Sequence, residues 1–279
     1  MRILILGGTA WLGQALATTA LADGHEVTCV ARERSGAVPV GARLIRADRD
    51  SPDAFDAIAG SWNIAIDVSR QPGQVRRAVQ ALSPRCDRFV FVSSTNVYAD
   101  HRAQAQAEEA QLLPALDDEV MKSMDLYGPA KVACERHVLS GFGPERALIA
   151  RVGLIGGPGD VFDRTGYWPM RFWRAGNMRR AVLVPDTPDL ATQVIDVRDL
   201  ARWLVEAAVR KVAGTFNVTG ETITFADHID TARSVAKHEG ELVRVPSEWL
   251  LARGVAPWMG TKSLPLWNPM ADYAGFSAR

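Results

Sequence analysis

Cysteine is scarce here and badly placed for staples or metal: Cys29, Cys86 and Cys134 are the only three in 279 residues. Any disulfide leaves one thiol over, and no spacing is that of a zinc site. A disulfide scaffold is therefore excluded, and a reducing compartment is expected. Long apolar runs are missing too. The first, Ile3-Leu4-Ile5-Leu6, stops at glycines and is too short for a secretion signal or a membrane span. Net charge is absent: 32 basic and 32 acidic side chains cancel, which leaves no basic field for nucleic acid and no acidic tail. The five histidines show no metal spacing. The expectation is a cytoplasmic protein with a small-molecule partner, and with no nucleic acid, membrane or metal.

What is present is an alternation. Hydrophobic residues make up 47% and charged ones 23%, ordinary for a folded chain of one large domain or one and a half. Ile3–Leu6 reads as a strand buried on both faces, followed by Gly7-Gly8-Thr9-Ala10-Trp11-Leu12-Gly13 and a helix from Trp11 to Ala22. Strand, glycine turn and helix start make a phosphate site, because backbone N–H groups and the helix dipole point at an anion. Ala10 stands where a third glycine is common, so a modest change in pyrophosphate approach is expected there. The plainer alternative is a tight turn without a ligand.

Further strands are predicted at Val27–Val30, Arg43–Ala47, Asn63–Val68, Arg88–Val92 and Arg146–Val152. Helices are predicted to start at Ser51-Pro52-Asp53 and to span Gln74–Leu82. Strands alternating with helices imply an α/β, doubly wound parallel sheet of Rossmann type, with ligands at the strands' carboxyl ends. NAD enzymes place an acid at the end of the second strand. Here Ala31 stands there, followed by Arg32-Glu33-Arg34. Two guanidiniums suit a ribose 2′-phosphate, which favours NADP; Glu33, twenty residues past Gly13, is the rival that would favour NAD. Asp48 is a candidate for the adenine amino group, and Val68 and Ser69 are further candidate cofactor contacts after the fourth strand.

Tyr127 and Lys131 lie four residues apart and so one turn apart on a helix, with Pro129 tolerated in its first turn. A free phenol has a pKa of ~10, and a nearby ammonium favours the phenolate. Such a pair can move a proton to or from an alcohol. Ser93, Ser94 and Thr95, after the fifth strand, would face the same crevice; alternatively their hydroxyls cap the strand end. The polar, acidic stretch 99–125, including Gln104, reads as a surface excursion that could cover the site.

In order, Gly7–Gly13, Asp23-Gly24-His25-Glu26-Val27, Phe91–Tyr98, Tyr127–Lys131, Arg151–Asp160, Ile195–Leu200 and Phe216-Asn217-Val218 resemble the extended short-chain dehydrogenase/reductase superfamily, in its NAD-dependent epimerase/dehydratase group. The resemblance covers about residues 1–220. It implies a catalytic set of Ser94, Tyr127 and Lys131, with Lys131 also on the nicotinamide ribose. It implies cofactor contacts at Gly7, Thr9, Ala10, Trp11, Leu12 and Gly13, and, through Ala31 and Arg32, an NADP-dependent member. Signatures of nucleotide-sugar pockets are not found. The expected domains are 1–155, with a return at about 190–218, for the dinucleotide, and 156–189 with 219–279 for the substrate. The reading is an NADP(H)-dependent oxidoreductase acting on a carbonyl or alcohol. An epimerase or dehydratase with tightly bound cofactor is the alternative, and a non-catalytic dinucleotide or RNA regulator the third. The superfamily often dimerises through the helix bearing Tyr127, which leaves a homodimer open.

The C-terminal part carries weaker signals. Phe162, Tyr167, Trp168, Phe172 and Trp173 are either a pocket wall or the core of a small domain, and Arg164, Arg171 and Arg174 are candidates to meet an anion. Short strands are expected at Ala181–Val184, Val194–Val197, Thr215–Val218 and Glu241–Val245. Helices are expected at Arg198–Val209, capped by Asp196, and at Phe225–His238. His228 and His238 are expected to face solvent. Trp258, Trp267, Tyr273 and Phe276 are expected to pack near the pocket, at an ending like that of a family member without its last helix.

Overall fold

The computed structural model describes residues 1–101, 105–177, 180–258 and 260–269; Gln104, Tyr273 and Phe276 lie outside them. In chain order the main elements are β1 (Arg2–Leu6), α1 (Trp11–Ala22), β2 (Glu26–Ala31), β3 (Arg43–Arg46), β4 (Trp62–Asp67), α2 (Pro72–Leu82) and β5 (Cys86–Ser94). Then come α3 (Tyr127–Phe142), β6 (Ala147–Val152), β7 (Leu154–Gly156), α4 (Tyr167–Asn177), β8 (Val182–Pro185) and β9 (Ala191–Asp196). The last are α5 (Val197–Val209), β10 (Gly214–Val218), β11 (Thr222–Thr224), α6 (Phe225–Val235) and β12 (Leu242–Val245).

The chain forms two compact units. The first comprises Met1–Ala99, Ala107–Gly153 and Asp196–Val218. Its sheet has the order β10-β6-β5-β4-β1-β2-β3, with every pairing parallel. The interior strand β1 is apolar throughout Ile3–Leu6 because helices cover both faces of the sheet, and these four side chains are fully buried. Helices α1 and α5 pack together, as do α2 and α3. On the α2/α3 side Leu4, Val75, Phe89, Phe91, Cys134 and Val138 form one core. Each such large apolar side chain contributes about 1.5–3 kcal/mol by leaving water. Chain order reverses between β1 and β4, and in sheets of this kind ligands bind at that switch point.

The helix expected from Ser51 does not form. Residues 51–57 are a succession of turns, bonded Ala54 to Ser51, Asp56 to Asp53 and Ile58 to Phe55 at i→i+3 spacing. The Arg85 guanidinium takes the carbonyls of Phe55 and Ile58, and Gly60 closes the segment before a helix could lengthen. The 99–125 excursion is tied down as well as exposed. Ala99 and Leu113 bond to Gln111 and Val97 through backbone, and the Glu108 carboxylate accepts the Asn217 N–H at 2.7 Å.

The second unit comprises Asp100–Gln106, Leu154–Ile195 and Thr219–Arg279. It holds a β11-β9-β7 sheet and a parallel β8–β12 pair. Trp168, Phe172, Phe225, Ile229, Leu264 and Trp267 form its core, and Trp168 Nε1 donates to the Pro265 carbonyl at 3.0 Å. Trp168 and Phe172 are thus core side chains, whereas Phe162 and Trp173 are exposed.

His238 is buried, against expectation. The helix ends early, at Val235, in a left-handed cap: Lys237 has φ 52°, its N–H bonds to Ser234, and that of His238 bonds to Arg233. This reversal swings the imidazole inward, against the Phe172 ring at 5.3 Å and the Arg180 carbonyl at 3.1 Å. His228 is half-buried rather than solvent-facing, and its Nε2 has no partner among the described residues. Burial holds the His228 pKa below its usual 6.5. Unfolding therefore takes up a proton below that value, so the stability His228 contributes is complete above pH 6.5 and is lost as pH falls below it. The melting temperature is expected to drop between neutral and mildly acidic pH, and His228→Gln to flatten that slope in a thermal melt series. An unchanged slope in the variant would refute the assignment.

Candidate functional site

Gly7 leaves β1 with φ +102°, a left-handed conformation that glycine adopts without strain. A Cβ on Gly8 would overlap Cys29 Sγ, and one on Gly13 would overlap the Gly7 carbonyl oxygen, so both glycines are needed for α1 to approach the sheet. Ala10 precedes α1 with φ −82° and ψ 162°, ordinary extended backbone that asks nothing of glycine. It caps α1 without a side-chain bond, and the first turn of α1, which Trp11 and Leu12 open, has no acid. A helix start lacks intrahelical acceptors for its first N–H groups, and with no acid beside it the positive end of the α1 dipole favours an anion. A cradle of this shape fits a dinucleotide pyrophosphate.

Gly7, Thr9, Ala10, Arg32 and Arg34 line one cavity of about 120 Å³, joined by Arg49 and Gln74. The Arg32 guanidinium is only loosely held, 3.7 Å from Asp48 and 3.9 Å from Asp50. Glu33 is turned away: it has φ 57° and is ion-paired to Arg46 on the neighbouring strand at 2.5 Å. Asp48 is not on the cavity wall; its carboxylate accepts the Asp50 N–H at 3.1 Å. Val68 lies against Gly7, where a Cβ would stand 2.7 Å from its Cγ2.

Helix α3 brings Tyr127 and Lys131 to the same unit. Gly128, between Tyr127 and Pro129, sits on the turn after β5: a Cβ there would overlap the Asn96 carbonyl oxygen. Ser94 closes β5 and caps that turn, accepting the Asn96 N–H at 3.2 Å and donating to Asn96 Oδ1 at 3.0 Å. Its hydroxyl is thus engaged in a cap. Tyr127 is half-buried, and the Lys131 ammonium stands 5.9 Å from the centre of its ring. Lys131 is buried; it donates to the Ser69 carbonyl at 2.6 Å and the Val92 carbonyl at 2.7 Å, clamping the ends of β4 and β5 together. An ammonium has three donors, so these two bonds leave one.

Behind Ser94 runs a buried network that sequence reasoning missed. Glu135, one turn beyond Lys131, accepts from Ser93 Oγ at 2.5 Å and pairs with Arg151 at 2.9 Å. Arg151 also reaches the Tyr98 hydroxyl at 3.2 Å and the Glu108 carbonyl at 2.7 Å, and Tyr98 donates to Asn217 Oδ1 at 2.6 Å. The available signal was a lone charge inside an apolar strand, as in Leu148-Ile149-Ala150-Arg151-Val152. The same signal marks Asp67 after Ile64-Ala65-Ile66.

In the second unit Arg171 and Arg174 line a separate cavity of about 360 Å³ with Tyr167 and Arg180. Arg164 does not, because it is paired with Asp160 at 3.2 Å. Among the described residues no three His, Cys, Asp or Glu side chains cluster as metal ligands, and no helix is long and apolar enough to cross a membrane.

The chain is similar to several known proteins. The chain is 27% identical over 160 residues to 2′-dehydrokanamycin reductase of Streptomyces kanamyceticus, covering 56% of this chain and 43% of that one. It is 24% identical over 266 residues to the chloroplast stem-loop binding protein of 41 kDa b of Arabidopsis thaliana, covering 86% of this chain and 63% of that one. The aligned parts therefore span less than two thirds of either relative. Among solved structures, the Bordetella bronchiseptica enzyme WbmG in complex with NAD and UDP superposes with a TM-score of 0.68 at 17% identity, over 96% of this chain and 86% of that one. That likeness speaks for the fold. The NAD dependent epimerase/dehydratase family matches residues 3–219, a range that includes the glycine turn, the strand-end serines and the tyrosine–lysine helix. The chain belongs to that family, whose enzymes work with a nicotinamide dinucleotide.

Proposed function

We propose that the protein is an NADP(H)-dependent oxidoreductase that reduces a carbonyl, or oxidises the matching alcohol, of a small molecule. The observation that carries this reading is the seating of Gly128 on the Asn96 carbonyl, which draws the Tyr127 end of α3 up to the turn that Ser94 caps. The nicotinamide, when bound, supplies or accepts the hydride. Tyr127 gives the phenolic proton to the carbonyl oxygen in reduction and takes it back in oxidation. Ser94 orients that oxygen by turning its hydroxyl proton from Asn96 Oδ1 to the substrate, while it keeps accepting the Asn96 N–H. Lys131 keeps its grip on the Ser69 and Val92 carbonyls and turns its third donor to a ribose hydroxyl. Kinship with a reductase supports net redox chemistry. Against the epimerase or dehydratase alternative, the test is net change in reduced-nicotinamide absorbance with a carbonyl substrate. An enzyme that returns hydride to the same molecule gives none.

The choice of NADP rests on Arg32 and Arg34 lining the cofactor cavity while Glu33 is held by Arg46. A charge-assisted bond to a 2′-phosphate contributes about 1.5–3 kcal/mol, or roughly tenfold or more in affinity. NADPH is therefore expected to bind ~10-fold more tightly than NADH by fluorescence titration, and Arg32→Ala to narrow the gap. Tighter NADH binding would overturn the preference. Zero net charge supports the absence of RNA as a partner, although one relative is named for binding stem-loops.

A further inference from the structure

Arg49 was not among the expected contacts, yet it forms part of the cavity floor. From the end of β3 its guanidinium reaches to Asp67, the last residue of β4. Nη1 lies 2.8 Å from Oδ1, and the two side chains are 10% and 0% exposed. Asp67 is in register with Leu6, the residue before Gly7, so the pair bridges the point where chain order reverses. Oδ1 also accepts the Ser69 N–H at 2.8 Å, and Oδ2 is buried with no partner among the described residues. The Arg49 backbone is fixed as well, its carbonyl taking a bond from Arg77 Nε at 2.9 Å. With Nη1 committed to Asp67, the Nη2 edge lies on the Gly7 side, 4.0 Å from where a Cβ of Gly7 would stand.

A buried ion pair is a poor device for stability, because apolar side chains of similar volume serve as well or better. Its presence in the floor of an anion cradle calls for another use. We propose that Arg49 donates from Nη2 to the diphosphate of the bound dinucleotide, and that Asp67 is the positioning residue that aims it. The guanidinium is suited to this: it is planar, always charged and offers a second edge once the first is spent. Asp67 keeps the charge balanced before the anion arrives and fixes the plane of the fork. This assignment rests on the dinucleotide reading above.

The test is the double variant Arg49→Met/Asp67→Leu, which removes both charges together, read by thermal melt and by titration with NADPH and with adenosine 2′-monophosphate. The variant is expected to melt near the parent, to bind NADPH ~10-fold or more weakly, and to bind the monophosphate, which has no diphosphate, within about twofold of the parent. NADPH affinity equal to the parent's would overturn the proposal, since the pair would then be structural. Equal losses for both ligands would overturn it too, by moving Arg49 to the adenosine end. Should the double variant not fold, Arg49→Lys keeps the charge without the fork; several-fold weaker NADPH binding at unchanged melting supports the assignment, and unchanged binding overturns it. A parent protein that binds no dinucleotide at all is a different result, and it would remove the function proposed above along with this contact.

Discussion

Tyr127→Phe is expected to lower turnover by ~100-fold or more while leaving the dissociation constant for NADPH nearly unchanged. The substitution removes one oxygen and keeps the ring. Lys131 does not depend on that oxygen for its place, because it is held by its bonds to the Ser69 and Val92 carbonyls. Nor does the seating of α3, which rests on Gly128 against the Asn96 carbonyl. The glycine cradle and its arginines lie on other elements of the sheet. The loss should thus appear in kcat, with cofactor affinity by titration and the melting temperature both preserved. An interaction made only as the proton moves behaves in this way. Turnover equal to the parent's would remove Tyr127 from the chemistry.

Arg151→Met is expected to be strongly destabilising. The Glu135 carboxylate, 4% exposed, would keep the Ser93 hydroxyl and lose its cation. Breaking one side of a buried pair costs about 3–5 kcal/mol, because the remaining charge is left uncompensated. At roughly 2–4 °C per kcal/mol for a chain of this size, the melting temperature should fall by ~10 °C. Tyr98 and the Glu108 carbonyl would lose a donor in the same step. Adding Glu135→Gln should recover part of the loss, since the amide needs no counter-charge. A single variant that melts within a degree or two of the parent would show that the network is not holding β5, α3 and β6 together.

Much of this was legible in the chain. Continuous apolar runs such as Ile3–Leu6 and Phe89–Val92 mark strands buried on both faces, and their alternation with helical stretches gives a parallel sheet with its ligand end defined. Gly7, Gly8 and Gly13 mark the cradle because no other residue fits there. The Asp196 cap of α5 was equally local: its carboxylate accepts the Arg198 N–H at 2.8 Å. Where local pattern competed with distant partners, it failed. Ser51-Pro52-Asp53 has the composition of a helix start, but the guanidinium of Arg85 claims the carbonyls that a helix would use. His238 belongs to an exposed-looking helix tail, but a left-handed Lys237 turns it into the core.

By itself, then, the sequence determined the parallel-sheet strands of the first unit, their order and the backbone shape of the glycine turn, because these depend on side-chain size, polarity and spacing within a few residues. Tertiary structure alone decided which charges meet: Arg49 with Asp67, Arg151 with Glu135, Arg46 with Glu33. Coulomb attraction between groups far apart in the chain depends on distance in space and on exclusion of water, and neither is written in local composition.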